Sequence, residues 1–279
     1  MAHIEEAPAA MIDRVASLLE SFVGERPLTL AELARRSRVP RSSAHRILQR
    51  LVELGWVERK EFTYTLGVRM FELGSQFTRR RIVPRAALPV MAELHRRCGL
   101  TVYLSMLVDA EIMHLERIGS WPSASGQWGA GARQPVPLTA PGRALLATLS
   151  PDHWPELQFG YAPTQYSIQT RSQLMRDLAR VRDRGGVAVD AQGTHHGVTV
   201  VAAPITTMDD DGHFALSVCG PTRALDLTAT ITEVRNAAAT VWRVANGVPT
   251  LRPRAVPDLP RPSEPSSAVE LQLANGGPA

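Results

Sequence analysis

Cysteine is nearly missing from this 279-residue chain: Cys98 and Cys219 are the only two, and no Cys-x-x-Cys pair occurs. A disulfide framework is thereby excluded, and a reducing compartment is expected. No apolar run approaches the ~20 residues that a membrane span requires. The opening MAHIEEAPAA is acidic and lacks an apolar h-region, so no signal peptide is expected. These absences point to a cytoplasmic protein with no membrane partner. There is also no phosphate-binding P-loop, no dinucleotide fingerprint and no activated nucleophile, which argues against an enzyme; no cofactor is expected. Lysine is scarcer still: of 31 basic residues only Lys60 is a lysine. That bias fits a GC-rich genome, although arginine also suits bidentate phosphate contacts. The most telling absence is local. Between Glu32 and Glu53 there is no acidic residue, yet Arg35, Arg36, Arg38, Arg41, Arg46 and Arg50 fall in that window.

A solvated helix face usually mixes charge signs to gain i,i+4 pairs, so a one-signed run requires an external anion. The net charge of only +4 makes this a local excess, and a phosphate backbone is the obvious counterpart. The window itself reads as two short helices. Thr29 with Glu32 three residues on is a capping box, followed by the apolar Leu30, Leu33 and Ala34. A second helix starts near Pro40 and ends at Gly55. Ala44, Ile47, Leu48, Leu51 and Leu54 share one of its faces, while Arg41, Ser42, His45, Arg46, Gln49 and Arg50 occupy the other. This is a helix-turn-helix with a polar, basic second helix. A merely basic surface helix is the competing reading, disfavoured by the cap and the turn. WVERK and FTYTL then read as a hairpin, a wing, with Arg59 and Lys60 placed for phosphate contact.

The length suggests two domains, and the order of elements agrees. An amphipathic helix carrying Met11, Val15, Leu18, Leu19 and Phe22 precedes the helix-turn-helix. A helix over 68–81, with Pro84 beyond, is either a linker and dimer contact or packed on its own domain. Another spans Pro84 to Arg97. The texture then becomes α/β. TVYLSML and EIMHLERI form a hairpin turning at Val108, Asp109 and Ala110. A long Gly-, Pro- and Ser-rich loop follows, of a length that is often functional. Next come a helix from Arg143 to Leu149, a helix from about Arg171 to Asp183, the strands VTVVAAPI and FALSVCG, and a last helix from about Leu227 to Val244. Seven prolines beyond Gly247 imply a disordered tail.

Over residues 11–244 the sequence resembles the IclR family of bacterial transcriptional regulators. The matching stretches are LAELARRSRVPRSSAHRILQRLVELGWV, YTLG at Tyr64, LTAPGRALLATL at Leu138, RDRGGVAVD at Arg182, GVTVVAAPI at Gly197 and LSVCGP at Leu216. The resemblance implies an α+β protein: a winged helix-turn-helix over residues 9–67, a linker helix over 68–83 and a GAF/PAS-like α/β effector domain over 84–248, with the tail at 249–279. It implies double-stranded operator DNA and a small-molecule effector, often carboxylate-bearing, as partners, and a homodimer or a dimer of dimers. DNA contacts would fall on Arg41, Ser42, Ser43, His45, Arg46 and Gln49, with Arg50, Arg59 and Lys60 beside them. Serine hydroxyls near a helix start suit phosphate, while Arg and Gln suit base edges. The effector cup would have Thr139, Ala140 and Pro141 as its floor, where helix-start N–H groups favour a carboxylate. Its walls would be Asp190, Val200, Ser217 and Cys219.

The chain departs from the family's pattern in this cup. Val200 stands where Cys is usual and Cys219 where Ser is usual, Pro141 has no N–H, and AQGTHH follows Asp190. Trp121 and Trp128 are placed to roof the cup. These departures point to a larger or less acidic effector than glyoxylate or pyruvate. No metal site is expected: His195 and His196 are neighbours that would point to opposite faces of a strand. Asp109, Asp209, Asp210 and Asp211 are turn residues without EF-hand spacing. Cys219, in an apolar strand, reads as inert. The alternative to an effector-responsive regulator, a repressor for example, is a constitutive DNA-binding protein whose C-terminal domain serves only oligomerisation.

Overall fold

A computed structural model describes residues 10–22, 26–120, 128–206 and 212–248. The acidic start, Trp121, Asp209 to Asp211 and the proline-rich tail lie outside the described residues.

The N-terminal part comprises α1 (Met11–Glu20), β1 (Leu28–Thr29), α2 (Leu30–Ser37), α3 (Arg41–Glu53), β2 (Val57–Lys60) and β3 (Thr63–Leu66). The sequence pattern explains the start of α2. The Thr29 hydroxyl accepts from the Glu32 N–H at 3.3 Å, and the Glu32 carboxylate accepts from the Thr29 N–H at 2.9 Å. That backbone bond, and then the Arg26 guanidinium at 2.7 Å, lower the Glu32 carboxyl to about 2. The cap therefore persists above the ordinary carboxylate range and is lost as pH falls toward 2. Thr29→Ala should destabilise the protein by about 1 kcal/mol, read as a lower urea midpoint at unchanged slope; an unchanged midpoint would deny the cap that role. Leu18, Leu33, Ala44, Leu48, Leu51, Val57 and Tyr64 close one core between the three helices and the wing. The strand β1, not expected from the sequence, pairs with β3 and makes the wing three-stranded. Gly67 seals its base: its N–H donates to the Trp56 carbonyl at 2.8 Å, and a Cβ there would collide with the Gly55 carbonyl.

Two helices connect the wing to the C-terminal sheet, α4 (Val68–Arg80) and α5 (Ile82–Cys98). The second was expected to begin at Pro84, but it starts two residues earlier. Pro84 sits within its first turn, where a missing N–H costs little, and the break between the helices is the extended backbone of Arg81. No residue of α4 is buried, and Phe71 is 73% exposed.

The C-terminal sheet contains β4 (Thr101–Val108), β5 (Glu111–Ile118), β6 (Arg133–Pro135), β7 (Ala188–Ala191), β8 (Val198–Ile205) and β9 (Phe214–Pro221). Its order is β6-β5-β4-β9-β8-β7, antiparallel throughout. Strand alternation sorts its two faces. Val102, Leu104, Met106, Val201, Ala203, Leu216 and Val218 pack on α5 and α8 (Leu227–Ala245). Tyr103, Ala188, Val200, Ala202 and Cys219 face α6 (Ala140–Leu146) and α7 (Arg171–Asp183). Two expectations shift here. The Gly/Pro-rich loop ends in β6 and a 3-10 turn over Val136–Leu138. The short helix begins at Ala140 and not Arg143, because Thr139 caps it and Pro141 fits its first turn. All seven residues of α6 are buried, and a Cβ on Gly142 would strike the Val136 carbonyl.

Candidate functional site

The first site is the outer face of α3. Arg41, Ser42, Arg46, Gln49 and Arg50 are exposed there, Ser43 and His45 are half-buried, and Arg59 and Lys60 are exposed on β2. Ser42, Arg46 and Gln49 follow i, i+4, i+7 spacing and form one stripe. Not every cation is equally available. Arg50 pairs with Glu53 at 2.7 Å. Arg59 donates to the Glu61 carbonyl at 3.0 Å and lies 5.7 Å from the Tyr64 ring centre. Arg36 turns inward to the Ser21 carbonyl at 3.2 Å. Arg41, Arg46 and Lys60 make no ion pair among the described residues. Arg46 and Arg50 also border an apolar groove of about 490 Å³ between α1, α3 and Trp56. Phe62, read from the sequence as a strand residue, is instead the wing's tip and is 79% exposed. The turn there needs a positive φ at Glu61, which no glycine announces.

The second site is a small cavity on the α6 side of the sheet. Thr139, Ala140 and Pro141 line it from the start of α6, Val200 from β8 and Ser217 from β9, so five of the expected residues meet there. Its interior is only about 10 Å³, room for roughly one water. An adjoining space of about 120 Å³ shares Trp128, Gln134 and Thr194 with it and opens past Arg133 and Tyr161.

Asp190 and Cys219 are placed otherwise than the resemblance implied. Neither lines either space. One Asp190 oxygen meets the Arg143 guanidinium at 3.3 Å; the other accepts from the Thr194 N–H at 3.0 Å and from its hydroxyl at 2.7 Å. With its lone pairs so occupied, Asp190 positions Thr194, which does line the cavity. Cys219 sits in an apolar cluster, where burial pushes its thiol up to about 12. The anion cradle at α6 is also largely closed. Pro141 has no N–H, and the Gly142 N–H is taken by the Thr139 hydroxyl at 3.0 Å. His195 and His196 lie in the turn between β7 and β8 rather than in a strand, with His195 bonded to the His196 carbonyl at 2.8 Å.

Tyr103 and His114, which the sequence reading passed over, line the cavity beside Trp128, which it had placed as a roof. Tyr103, His114 and Trp128 stand with ring centres 4.8 and 6.4 Å apart, and the His114 and Trp128 rings are nearly parallel. His114 is brought there by a bulge. The register slips between Leu104 and Ser105, so Ser105 faces His114 where regular pairing would present Leu115. The Ser105 hydroxyl holds His114 Nδ1 at 2.8 Å. Burial lowers the His114 pKa to about 4, so the imidazole is neutral near neutral pH. Burial also pushes the Tyr103 phenol above its ordinary range, so it keeps its proton. Alternation along TVYLSML could have flagged Tyr103 and Ser105 as a polar face on a buried strand. Nothing in EIMHLERI reveals the bulge.

The profile described as "IclR helix-turn-helix domain" matches residues 11–61, and the one described as "Bacterial transcriptional regulator IclR C-terminal" matches residues 76–243. Among curated proteins, the chain is 27% identical over 221 residues to the HTH-type transcriptional regulator XynR of Escherichia coli, covering 77% of this chain and 87% of that protein. It is 28% identical over 197 residues to KdgR of the same organism, covering 69% and 74%. Among solved structures, a putative transcriptional regulator from Rhodococcus superposes with a TM-score of 0.72 at 26% identity, over 85% of this chain and 98% of that one. An IclR homologue from Microbacterium hydrocarbonoxydans, complexed with 4-hydroxybenzoate, gives 0.71 at 27%, over 85% and 100%.

Proposed function

This chain belongs to the IclR family of bacterial transcriptional regulators, and from that premise we propose that it binds a pseudo-palindromic operator as a homodimer or dimer of dimers, under control of a small carboxylate-bearing effector. It is a regulator and not an enzyme, and its helix-turn-helix implies DNA as a partner. No helix among the described residues is long and apolar enough to cross a membrane. The observation that carries the DNA reading is the exposed face of α3, which holds no acidic residue before Glu53 in its last turn, beside Arg59 and Lys60 of the wing. In this reading residues 9–67 bind DNA, 68–83 link, and 84–248 sense the effector. Paired recognition helices, set by two-fold symmetry, read two half-sites. The exposed apolar residues of α4 support a linker that doubles as a contact between copies. Effector control is a two-state coupling, and it acts only if the ligand prefers one placement of the winged domains.

The effector side rests on the cavity between α6 and the sheet. Its aromatic wall, together with the 4-hydroxybenzoate carried by the Microbacterium homologue, favours an aromatic acid over a two- or three-carbon oxoacid. The test is fluorescence anisotropy of the full chain on an operator obtained by in vitro selection from genomic fragments. A panel of aromatic and aliphatic acids should contain one that shifts operator affinity about fivefold or more. Tight operator binding that no acid shifts would favour the constitutive alternative.

A further inference from the structure

The wing carries two acidic residues, Glu58 and Glu61, against two basic ones, Arg59 and Lys60, all of them exposed. Charge alone therefore gives this ribbon little net attraction for phosphate. One of its cations is also committed, since Arg59 donates to the Glu61 carbonyl and lies over the Tyr64 ring. What the tip presents instead is an aromatic. Pairing of Lys60 with Thr63 leaves a two-residue turn, Glu61 and Phe62, and Phe62 is 79% exposed.

The turn that presents Phe62 is braced from both strands. Arg59 Nε holds the Glu61 carbonyl at 3.0 Å, and the Thr63 hydroxyl donates to the Lys60 carbonyl at 3.0 Å. Behind the turn, β1 pairs with β3 and Tyr64 is buried. The tip is thus the end of a fixed three-stranded ribbon, and a preorganised contact loses little entropy on binding. The ribbon is also continuous with the face of α3: Val57 shares one core with Leu48 and Leu51. Phe62 therefore stands beside the stripe of Ser42, Arg46 and Gln49 and extends the same surface.

Resting on the operator-binding reading above, we propose that Phe62 is an apolar wedge. It enters the minor groove next to the major groove held by α3, partly unstacks one base step and kinks the duplex. Apolar side chains that act in this way kink DNA by roughly 20–90°. Lys60, which makes no ion pair among the described residues, reaches the adjacent phosphate. The wedge makes the wing a sequence reader without hydrogen bonds to base edges, because the pyrimidine–purine steps TA and CA/TG kink most readily. Each half-site should carry one of these steps under the wing. The apolar contact supplies what the wing's balanced charges do not.

The experiment places the full-length protein on an operator obtained by in vitro selection, with donor and acceptor dyes at the two ends of the duplex. Saturating protein should raise energy transfer, because a kink brings the ends together. Permanganate should oxidise a thymine in each half-site that it spares in free DNA, since every TA or CA/TG step contains a thymine on one strand. Phe62→Ala should weaken operator binding about tenfold or more, the scale of one lost base–aromatic contact. At saturating protein it should also abolish both signals. Phe62→Leu keeps an apolar wedge and should keep most of the bend. Because the ring is exposed, both variants should melt like the unaltered protein and sediment as the same oligomer. A straight operator in the unaltered complex overturns the wedge, as do a bend and a permanganate signal that survive Phe62→Ala. So does a changed oligomeric state in Phe62→Ala, which would make the ring a contact between copies. If the full chain selects no genomic fragment, the operator-binding reading itself fails; a fragment bound tightly and left straight sinks the wedge alone.

Discussion

Replacing Arg143 by methionine is expected to destabilise the C-terminal domain by about 3–5 kcal/mol, the range for removing one partner of a buried ion pair. Arg143 lies in the middle of α6 and is 2% exposed. Its guanidinium donates to the carbonyls of Pro137 at 3.1 Å, Leu138 at 2.8 Å and Val189 at 3.0 Å. It also faces Asp177 at 2.7 Å and Asp190 at 3.3 Å. One side chain therefore ties the 3-10 turn, α7 and β7 to α6. Methionine keeps much of the volume but leaves two carboxylates and three carbonyls behind, in a site from which water is excluded. The cost is thus set by the partners abandoned, not by the net worth of the pairs. Urea unfolding monitored by tryptophan fluorescence measures it. A loss below about 1 kcal/mol would place the network with surface pairs, whose contribution is small. Asp190→Asn, which keeps one oxygen acceptor, should cost less than Arg143→Met. The same variant should alter effector binding only through Thr194.

Arg46→Ala is expected to abolish operator binding at physiological salt while leaving effector titration unchanged. Arg46 is exposed on the stripe with Ser42 and Gln49 and makes no ion pair among the described residues. Its guanidinium is free to bond a guanine edge bidentately, a contact typically worth about 1–3 kcal/mol. Two-fold symmetry applies the loss twice, roughly 2–6 kcal/mol for the complex. Lys60→Ala is the control. A phosphate contact should weaken all sequences alike and reduce the salt slope by about one per copy. If Arg46→Ala behaved like Lys60→Ala, with a uniform loss across sequences, its side chain would be a backbone contact. If it also lost effector binding, misfolding would be the cause, since Arg46 also borders the groove against α1.

The winged domain was legible nearly residue by residue, because its signals are local. The Thr29–Glu32 cap, the i, i+3, i+4 spacing of Ala44, Ile47, Leu48 and Leu51, and the acid-free arginine run each lie within a few turns of chain. Errors there were small and had local causes: β1 is only two residues long, and Glu61 adopts a positive φ without glycine. The C-terminal domain was legible as a sequence of strands and helices but not as a site. Thr139 to Pro141, Val200 and Ser217 do meet at the cavity, whereas Asp190 and Cys219 stand behind it.

The residues settle which segments bury and which carry charge, because periodicity and capping are properties of neighbours in the chain. That is enough for the fold class, the order of domains and the basic face of α3. Which polar atoms end up unpaired depends on contacts made across the sheet and around α6. Arg143 draws Asp190 away from the cavity by reaching 47 residues along the chain, and a one-residue bulge in β5 turns His114 into it. Strand register and long-range pairing are decided only when the whole domain packs, so the sensing chemistry belongs to the tertiary structure.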